Sequence, residues 1–269
     1  MFFSVITATY NSQKTVKGTF DSLLNQTYTD VFEYIVIDGN SQDSTIDIIK
    51  NYESKFKEKN INFKWISEPD TGVYNAWNKG LKMTSGSYIA FIGSDDRFLP
   101  DALSLYHQKI STNLNYDYYC SKVKIVDNNI PISAYVIAYC KRNGMIKSLP
   151  HVGSFHNSKL FKSVGHFNEE YKIVGDYELL LRPKTQLKVY SFDYFTTEME
   201  IGGISNNPKF VKKTLLELKR ARIETGGFSI FYANMLYYNH FLRIKYVAFA
   251  KRILGVNFST KINKYFKKF

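Results

Sequence analysis

The chain has 269 residues, enough for one large domain or one domain with an appendage; its 44% hydrophobic content is ordinary for a globular protein and its 16% aromatic content is high. The formal charge of +12 is unevenly placed: Lys209 to Phe269 holds 14 Lys/Arg against 2 Asp/Glu, which leaves residues 1–208 neutral. Two cysteines (Cys120, Cys140) in no metal-ligand spacing, an N-terminus without a basic leader and no uncharged run of membrane-spanning length speak against a disulfide framework, a signal peptide and a transmembrane helix, so a reducing cytoplasm fits.

Phe2 to Ala8 has the pattern of a first strand, broken by Thr9-Tyr10-Asn11-Ser12, and Val16 to Leu24 has helical spacing with Ser12 as its expected N-cap. Phe32 to Ile37 is a second apolar strand ending at Asp38-Gly39-Asn40-Ser41, followed by a helix from Asp43-Ser44 to about Phe56. Ile61 to Ile66 is a third strand, Glu68 to Gly72 a loop, Val73 to Met83 a helix, and Tyr88 to Ile92 a fourth strand. Four strand–helix alternations predict an α/β fold with a Rossmann-like, mostly parallel sheet. Polar residues follow every strand, and ligands of open α/β sheets sit beyond the strands' carboxyl ends. No Gly-x-Gly-x-x-Gly and no phosphate-cradling Gly-x-x-x-x-Gly-Lys loop is present, which argues against a dinucleotide oxidoreductase and a P-loop NTPase.

The fourth strand stops at Gly93 and ends in Ser94-Asp95-Asp96. Two adjacent carboxylates there either cap a helix starting near Pro100 or hold a hard divalent cation; capping accounts for one Asp and not for two, which favours the cation. Beyond Pro100 the pattern turns α+β: a helix over Ala102 to Ile110, β-structure over Tyr116 to Val126 and Pro131 to Ala138, a loop or short strand over His151 to His156, and a short helix over Ser158 to Val164. An apolar helix over Tyr177 to Leu181 opens with Gly175-Asp176, and Val189 to Phe195 is a strand. The expected division is 1–99 and 100–208 as two halves of one domain, with a helical basic appendage over 209–269. In the appendage, Val211 to Ile223 and Phe228 to Leu254 are helical patterns in which tyrosines and phenylalanines alternate with Lys and Arg. Such a segment suits an anionic membrane surface, or an ordinary helix pair with a solvated basic face.

Several blocks now fall in a familiar order: Val5 to Asn11, Val36-Ile37-Asp38-Gly39-Asn40-Ser41-Gln42-Asp43-Ser44-Thr45, Ser94-Asp95-Asp96, and Glu68-Pro69-Asp70-Thr71-Gly72-Val73-Tyr74-Asn75-Ala76-Trp77-Asn78-Lys79-Gly80. Together with Gly153 to Tyr171 and Gly175-Asp176-Tyr177-Glu178-Leu179, they resemble the family 2 glycosyltransferases of the GT-A fold, in the branch found in bacterial capsule, colanic-acid and O-antigen clusters. The resemblance covers residues 2–205 and leaves the basic tail outside.

It implies a nucleotide-sugar donor, most simply a UDP-sugar, a divalent cation (Mn²⁺ or Mg²⁺), inversion at the anomeric carbon and a lipid-linked glycan acceptor. The donor side of the crevice would comprise Thr9, Tyr10, Asn11, Asp38, Gly39, Asp70, Lys79, Ser94 and Asp95. In it Tyr10 stacks on the base, Asp38 accepts from it, and Lys79 helps neutralise the diphosphate. Asp96 would hold the metal, with His151 or His156 as a further ligand or sugar contact, each also readable as a structural histidine. Asp176 matches the general base, although Asp at a helix start is also an ordinary N-cap. Two positions depart from the family pattern: Ser94 stands where an Asp-x-Asp motif has its first Asp, and Gly175 precedes the base where Glu is common. Gly202-Gly203-Ile204-Ser205 resembles a loop that closes over the phosphates, or is a plain turn. The implied location is the cytoplasmic face of the membrane, reached through the tail. Two other readings stand beside this one: a nucleotidyltransferase of similar fold, which usually has a Gly-rich basic loop that this chain lacks, and a nucleic-acid binder acting through the tail, which the neutral first 208 residues disfavour.

Overall fold

The structure, a computed structural model, describes residues 1–128, 130–137, 140–142, 145–148, 150–203 and 208–254. Its first half follows the sequence pattern closely: β1 (Phe3–Thr9), α1 (Val16–Leu24), β2 (Glu33–Asp38), α2 (Thr45–Glu58), β3 (Asn62–Ser67), α3 (Val73–Met83) and β4 (Tyr88–Gly93). These four strands are mutually parallel in the order β3-β2-β1-β4. Alternate side chains supply two faces, because successive strand residues point to opposite sides. Phe3, Val5, Tyr34, Val36 and Ala90 pack with Phe20 of α1 and Ile49 and Phe56 of α2. Ile6, Ile35, Ile37, Ile89 and Phe91 pack with Tyr74 and Leu81 of α3. Each such fully buried Ile or Phe contributes about 1.5–3 kcal/mol.

The second half comprises β5 (Arg97–Phe98), α4 (Ala102–Thr112), β6 (Tyr118–Asp127), β7 (Ile130–Ile137), β8 (Cys140–Arg142), β9 (Met145–Ser148), β10 (Phe155–Asn157), α5 (Ser158–Val164), α6 (Gly175–Leu181) and β11 (Val189–Glu200). β10 is wedged antiparallel between β4 and β6, β11 runs parallel to β6, and β5 and β7 add antiparallel edges, giving one nine-stranded, mostly parallel sheet. β8 and β9 form a separate hairpin. β11 runs five residues past the expected end at Phe195, with register breaks around Phe195 that absorb its length.

At the amino ends of the strands a buried carboxylate ties three elements together. Glu33 accepts from Ser4 Oγ at 2.6 Å, Ser85 N at 2.8 Å and Lys64 Nζ at 2.6 Å. The carboxyl ends, by contrast, carry the polar loops.

The tail begins with α7 (Val211–Glu224) and α8 (Ile230–Leu254). α7 belongs to the packing of the body: Ala221 is fully buried in the same cluster as Leu179 and Leu181 of α6. The expected boundary at 208 thus marks a change in charge and not a break in the core. Among the described residues no helix is long and apolar enough to cross a membrane.

Candidate active site

The loops after β1 and β2 are laced together. Asn11 N donates to Ser41 Oγ at 2.8 Å, Gln42 N to Asn11 Oδ1 at 2.9 Å, and Ser12 N to Thr45 Oγ1 at 2.8 Å. Asn11 sits at φ +48°, a left-handed conformation that Asn tolerates. Ser12 does not cap α1; its carbonyl accepts from Thr15 N and Val16 N, and Thr15 holds the cap position. Thr9 is buried, with its hydroxyl unpartnered among the described residues at the mouth of β1.

Asp38 is fully buried and its carboxylate is occupied within the protein. It accepts from Ser41 N (2.9 Å), Ser41 Oγ (2.5 Å) and Ser67 Oγ (2.7 Å), which locks the second loop to the end of β3. The carboxylate that does face the mouth of β2 is Asp70. A Cβ on Gly39 would lie 2.6 Å from Asp70 Oδ2 and 3.4 Å from the Tyr10 ring, so Asp70, Gly39 and Tyr10 form one wall. Tyr10 is 63% exposed, a ring face open to stacking. Asp70 is fixed by accepting from Gly72 N at 2.8 Å. Lys79 is directed to the same loop: it pairs with Glu68 at 2.8 Å and donates to the Pro69 carbonyl at 2.8 Å.

At the end of β4, Ser94 Oγ and Ser12 Oγ lie 2.8 Å apart, so the serine at the departed motif position joins the first and fourth loops. A Cβ on Gly93 would lie 2.6 Å from Asp96 Oδ2 and 2.7 Å from Asp95 Oδ1, which brings the two carboxylates over one point. Asp96 is buried and accepts from Glu200 N at 3.0 Å and Gly93 N at 3.3 Å. Burial first, then the charge of Asp95, push its carboxyl up to about 8. Burial, with the charge of Glu200, also raises Asp95. Neither Asp caps α4, which starts after β5 and has Asp101 at its cap position. Among the described residues no Lys or Arg pairs with either carboxylate, and no cluster of three metal-type side chains occurs. Two converging hard oxygen donors lacking a counter-cation fit a divalent ion whose other ligands are phosphate or water oxygens.

Asp176 is the second residue of α6, whose cap position is Val174, so it is not a capping residue. Its Oδ1 accepts from Tyr74 Oη at 3.1 Å. A Cβ on Gly175 would lie 2.8 Å from the Tyr74 ring, so the residue before Asp176 has no room for a side chain while Tyr74 holds this place. His151 stands in an aromatic box of Trp77 (5.1 Å between ring centroids), Phe91 (5.6 Å) and His156 (5.2 Å). Burial lowers its pKa, and the charge of Asp176 partly opposes this. His156 places Nδ1 3.2 Å from the Ile89 carbonyl; burial, then His151, hold it well below the usual range and therefore neutral. Both histidines belong to this aromatic box, and among the described residues they form no metal-type cluster with Asp96. The buried nitrogens of His151 and Trp77 in this box have no hydrogen-bond partner among the described residues.

Several residues here carried no local signal. Tyr74 and Trp77 have a spacing that fits core packing as well as a sugar platform, so their place beside Asp176 and His151 does not follow from it. Asn75 and Asn78 clamp Glu169 at 2.7 and 2.8 Å, joining α3 to the second half of the chain. Glu217 of α7 accepts from Lys172 N (3.1 Å), Ile173 N (2.9 Å) and Val174 N (3.2 Å), the three residues leading into α6. All are contacts between segments far apart in sequence. Of the Gly202–Ser205 loop, residues 204 and 205 lie outside the described residues. A surface hollow of about 740 Å³ at the β3 edge, lined by Val31, Lys57, Asn60 and Trp65, lies away from these strand ends.

The sequence pattern described as "Glycosyl transferase family 2" matches residues 4–169. The chain is 26% identical over 219 residues, 78% of its length and 83% of the relative's, to a PGL/p-HBAD biosynthesis glycosyltransferase of Mycobacterium bovis (strain BCG / Pasteur 1173P2). It is 38% identical over 100 residues, 37% of its length and 38% of the relative's, to the putative teichuronic acid biosynthesis glycosyltransferase TuaG of Bacillus subtilis (strain 168). In fold it is similar to S. aureus TarS 1-349 in complex with UDP-GlcNAc, with a TM-score of 0.64 at 21% identity, covering 87% of this chain and 69% of that one; it spans 43% of the longer TarS chain. The sheet with its strand-end carboxylates is thus a GT-A fold, and a family pattern that covers more than half of the chain makes this protein a member of the family 2 glycosyltransferases.

Proposed function

We propose that the chain transfers a hexose or N-acetylhexosamine from a UDP-sugar to a glycan acceptor in bacterial surface-polysaccharide synthesis, with inversion, by direct displacement. The observation that carries this reading is the pair of carboxylates converging over Gly93, combined with a third carboxylate, Asp176, oriented by Tyr74. The kinship with TuaG supports the acceptor class, and the UDP-GlcNAc complex of TarS supports the donor.

Tyr10 stacks on the base. Asp70, presented over Gly39, accepts from the base's ring N–H, a role Asp38 cannot readily take while Ser41 and Ser67 occupy it. Asn11, Ser94, Lys79 and Asp38 serve by holding the loops that form this wall. Asp96, with Asp95 beside it, would hold a divalent cation, Mn²⁺ or Mg²⁺, which when bound neutralises charge on the diphosphate. Asp176 accepts the acceptor hydroxyl's proton through the oxygen that Tyr74 leaves open. The acceptor oxygen bonds to the anomeric carbon as the bond from that carbon to the β-phosphate oxygen breaks, and the electron pair leaves with UDP. His151 and Trp77 offer polar atoms to the sugar hydroxyls beside that base.

A thermal-shift titration with UDP, GDP and ADP, each with and without Mn²⁺, tests the donor side. A ligand at a hundredfold excess over its Kd adds about 2.7 kcal/mol. A Mn²⁺-dependent shift with UDP is expected in the wild type and in Asp176→Asn, with sugar transfer lost in that variant. No nucleotide shift, or near-normal transfer by Asp176→Asn, overturns the scheme.

A further inference from the structure

α8 has an inner side packed on α7 and an outer side that is exposed. Ala233 is fully buried, and the ring of Tyr237, one turn on, faces Lys219 of α7, which defines the inner side. Phe231, Met235, Tyr238, Leu242 and Phe249 follow at steps of four, three, four and seven, the spacing of a single helix face. They are 81%, 46%, 60%, 63% and 61% exposed. At 1.5 Å per residue the stripe runs about 27 Å. A soluble surface rarely exposes an apolar strip of that length without a partner.

The charge of the helix selects the partner. Ile230–Leu254 contains Arg243, Lys245, Lys251 and Arg252 and no Asp or Glu. Two copies of this helix laid face to face would bring eight basic residues together and no acidic residue of the helix, which disfavours self-association. A lipid surface rich in anionic headgroups meets both demands, with apolar rings at the acyl boundary and basic heads among the phosphates. We propose that α8 lies in the plane of an anionic lipid surface, its Phe231–Phe249 stripe turned to the bilayer. The helix docks there without crossing, since no described helix is apolar enough to span.

The stripe is mechanically joined to the acceptor side of the crevice. α7, on which α8 packs, holds the 172–174 backbone through Glu217 and pairs Arg220 with Glu170. A docked α8 therefore fixes the orientation of the Asp176 helix relative to the lipid surface.

The test uses the full chain and vesicles, independently of sugar transfer. Sedimentation is measured with phosphatidylcholine vesicles and with vesicles containing about one-third phosphatidylglycerol, at about 0.1 M and about 0.5 M salt. The variant carries Phe231→Ser, Tyr238→Ser and Leu242→Ser, all at exposed positions, and its thermal response to UDP with Mn²⁺ checks that the body is intact. Expected are binding to the anionic vesicles, weakening at high salt, and a fall of about tenfold or more in partitioning for the variant. Equal binding by the variant, no preference for anionic vesicles, or a wild-type dimer in light scattering that the variant dissolves would overturn the proposal, the last in favour of a second copy.

Discussion

Glu217→Ala removes one carboxylate that satisfies three consecutive backbone N–H groups, those of Lys172, Ile173 and Val174, at 2.9–3.2 Å. A hydrogen bond to a charged group is worth about 1.5–3 kcal/mol net, and an abandoned buried donor costs about 1–3 kcal/mol. This site is partly buried, so water recovers part of that loss and the expected cost is about 3 kcal/mol. For a chain of this size each kcal/mol lowers Tm by roughly 2–4 °C, which gives a fall of about 6–12 °C. Thermal melts of wild type, Glu217→Gln and Glu217→Ala measure it, with Gln intermediate because it keeps one acceptor oxygen. The same loosened segment carries Asp176 two residues later, so sugar transfer falls further than the stability loss alone accounts for, while the UDP response of the distant donor wall is retained. An alanine variant within about 0.5 kcal/mol of wild type, with full transfer, would refute the idea that the tail helix braces the base.

Three further predictions rest on other contacts. Asp96 binds a proton more tightly folded than unfolded, since burial and Asp95 raise it to about 8, so the metal-free protein loses stability as pH climbs from the ordinary carboxylate range towards 8. Asp96→Asn should flatten that slope and be about 1–3 kcal/mol more stable than wild type at pH 8 in chelator, while losing its response to Mn²⁺; denaturation across pH decides, and a persistent slope counts against it. Gly175→Ala drives a methyl into the Tyr74 ring, costs about 1–3 kcal/mol and lowers transfer without changing UDP binding; an unchanged rate would show that Tyr74 does not orient Asp176. Glu33, for which hydrogen bonds from Lys64, Ser4 and Ser85 outweigh the opposing effect of burial, is held below its usual range. Its contribution is present above the usual carboxylate range and lost as pH falls through the lowered value, so Glu33→Gln should cost about 1–3 kcal/mol at neutral pH and little in acid, as read by urea melts.

The parallel half of the sheet was legible because β1 to β4 are nearly continuous apolar runs closed by polar loops, a pattern that local physics produces. The placement of Asp95 and Asp96 directly after a buried strand and of Asp176 at the start of a helix was legible in the sequence, and the roles proposed for them rest on that placement. The surroundings of Asp38 were not. Whether a carboxylate at a strand end faces a ligand or its own loop depends on Ser41 and Ser67, and Ser67 lies on another strand. Lys79 was legible by its charge alone, and its pairing with Glu68 follows from the loop's fold. β10 was expected only as a loop or short strand over His151 to His156, because three residues of strand leave no period to detect, and the bracing by Glu217 joins segments over forty residues apart.

β10 also constrains how the enzyme can move. By pairing with both β4 and β6 it welds the first and second halves of the chain into one continuous sheet, with Phe155 and His156 buried at the seam. Many two-lobed transferases close by swinging one lobe about a hinge, but a sheet sewn across its middle has no such hinge. Closure over the strand ends is therefore left to the loops that follow the strands and not to a swing of one half against the other.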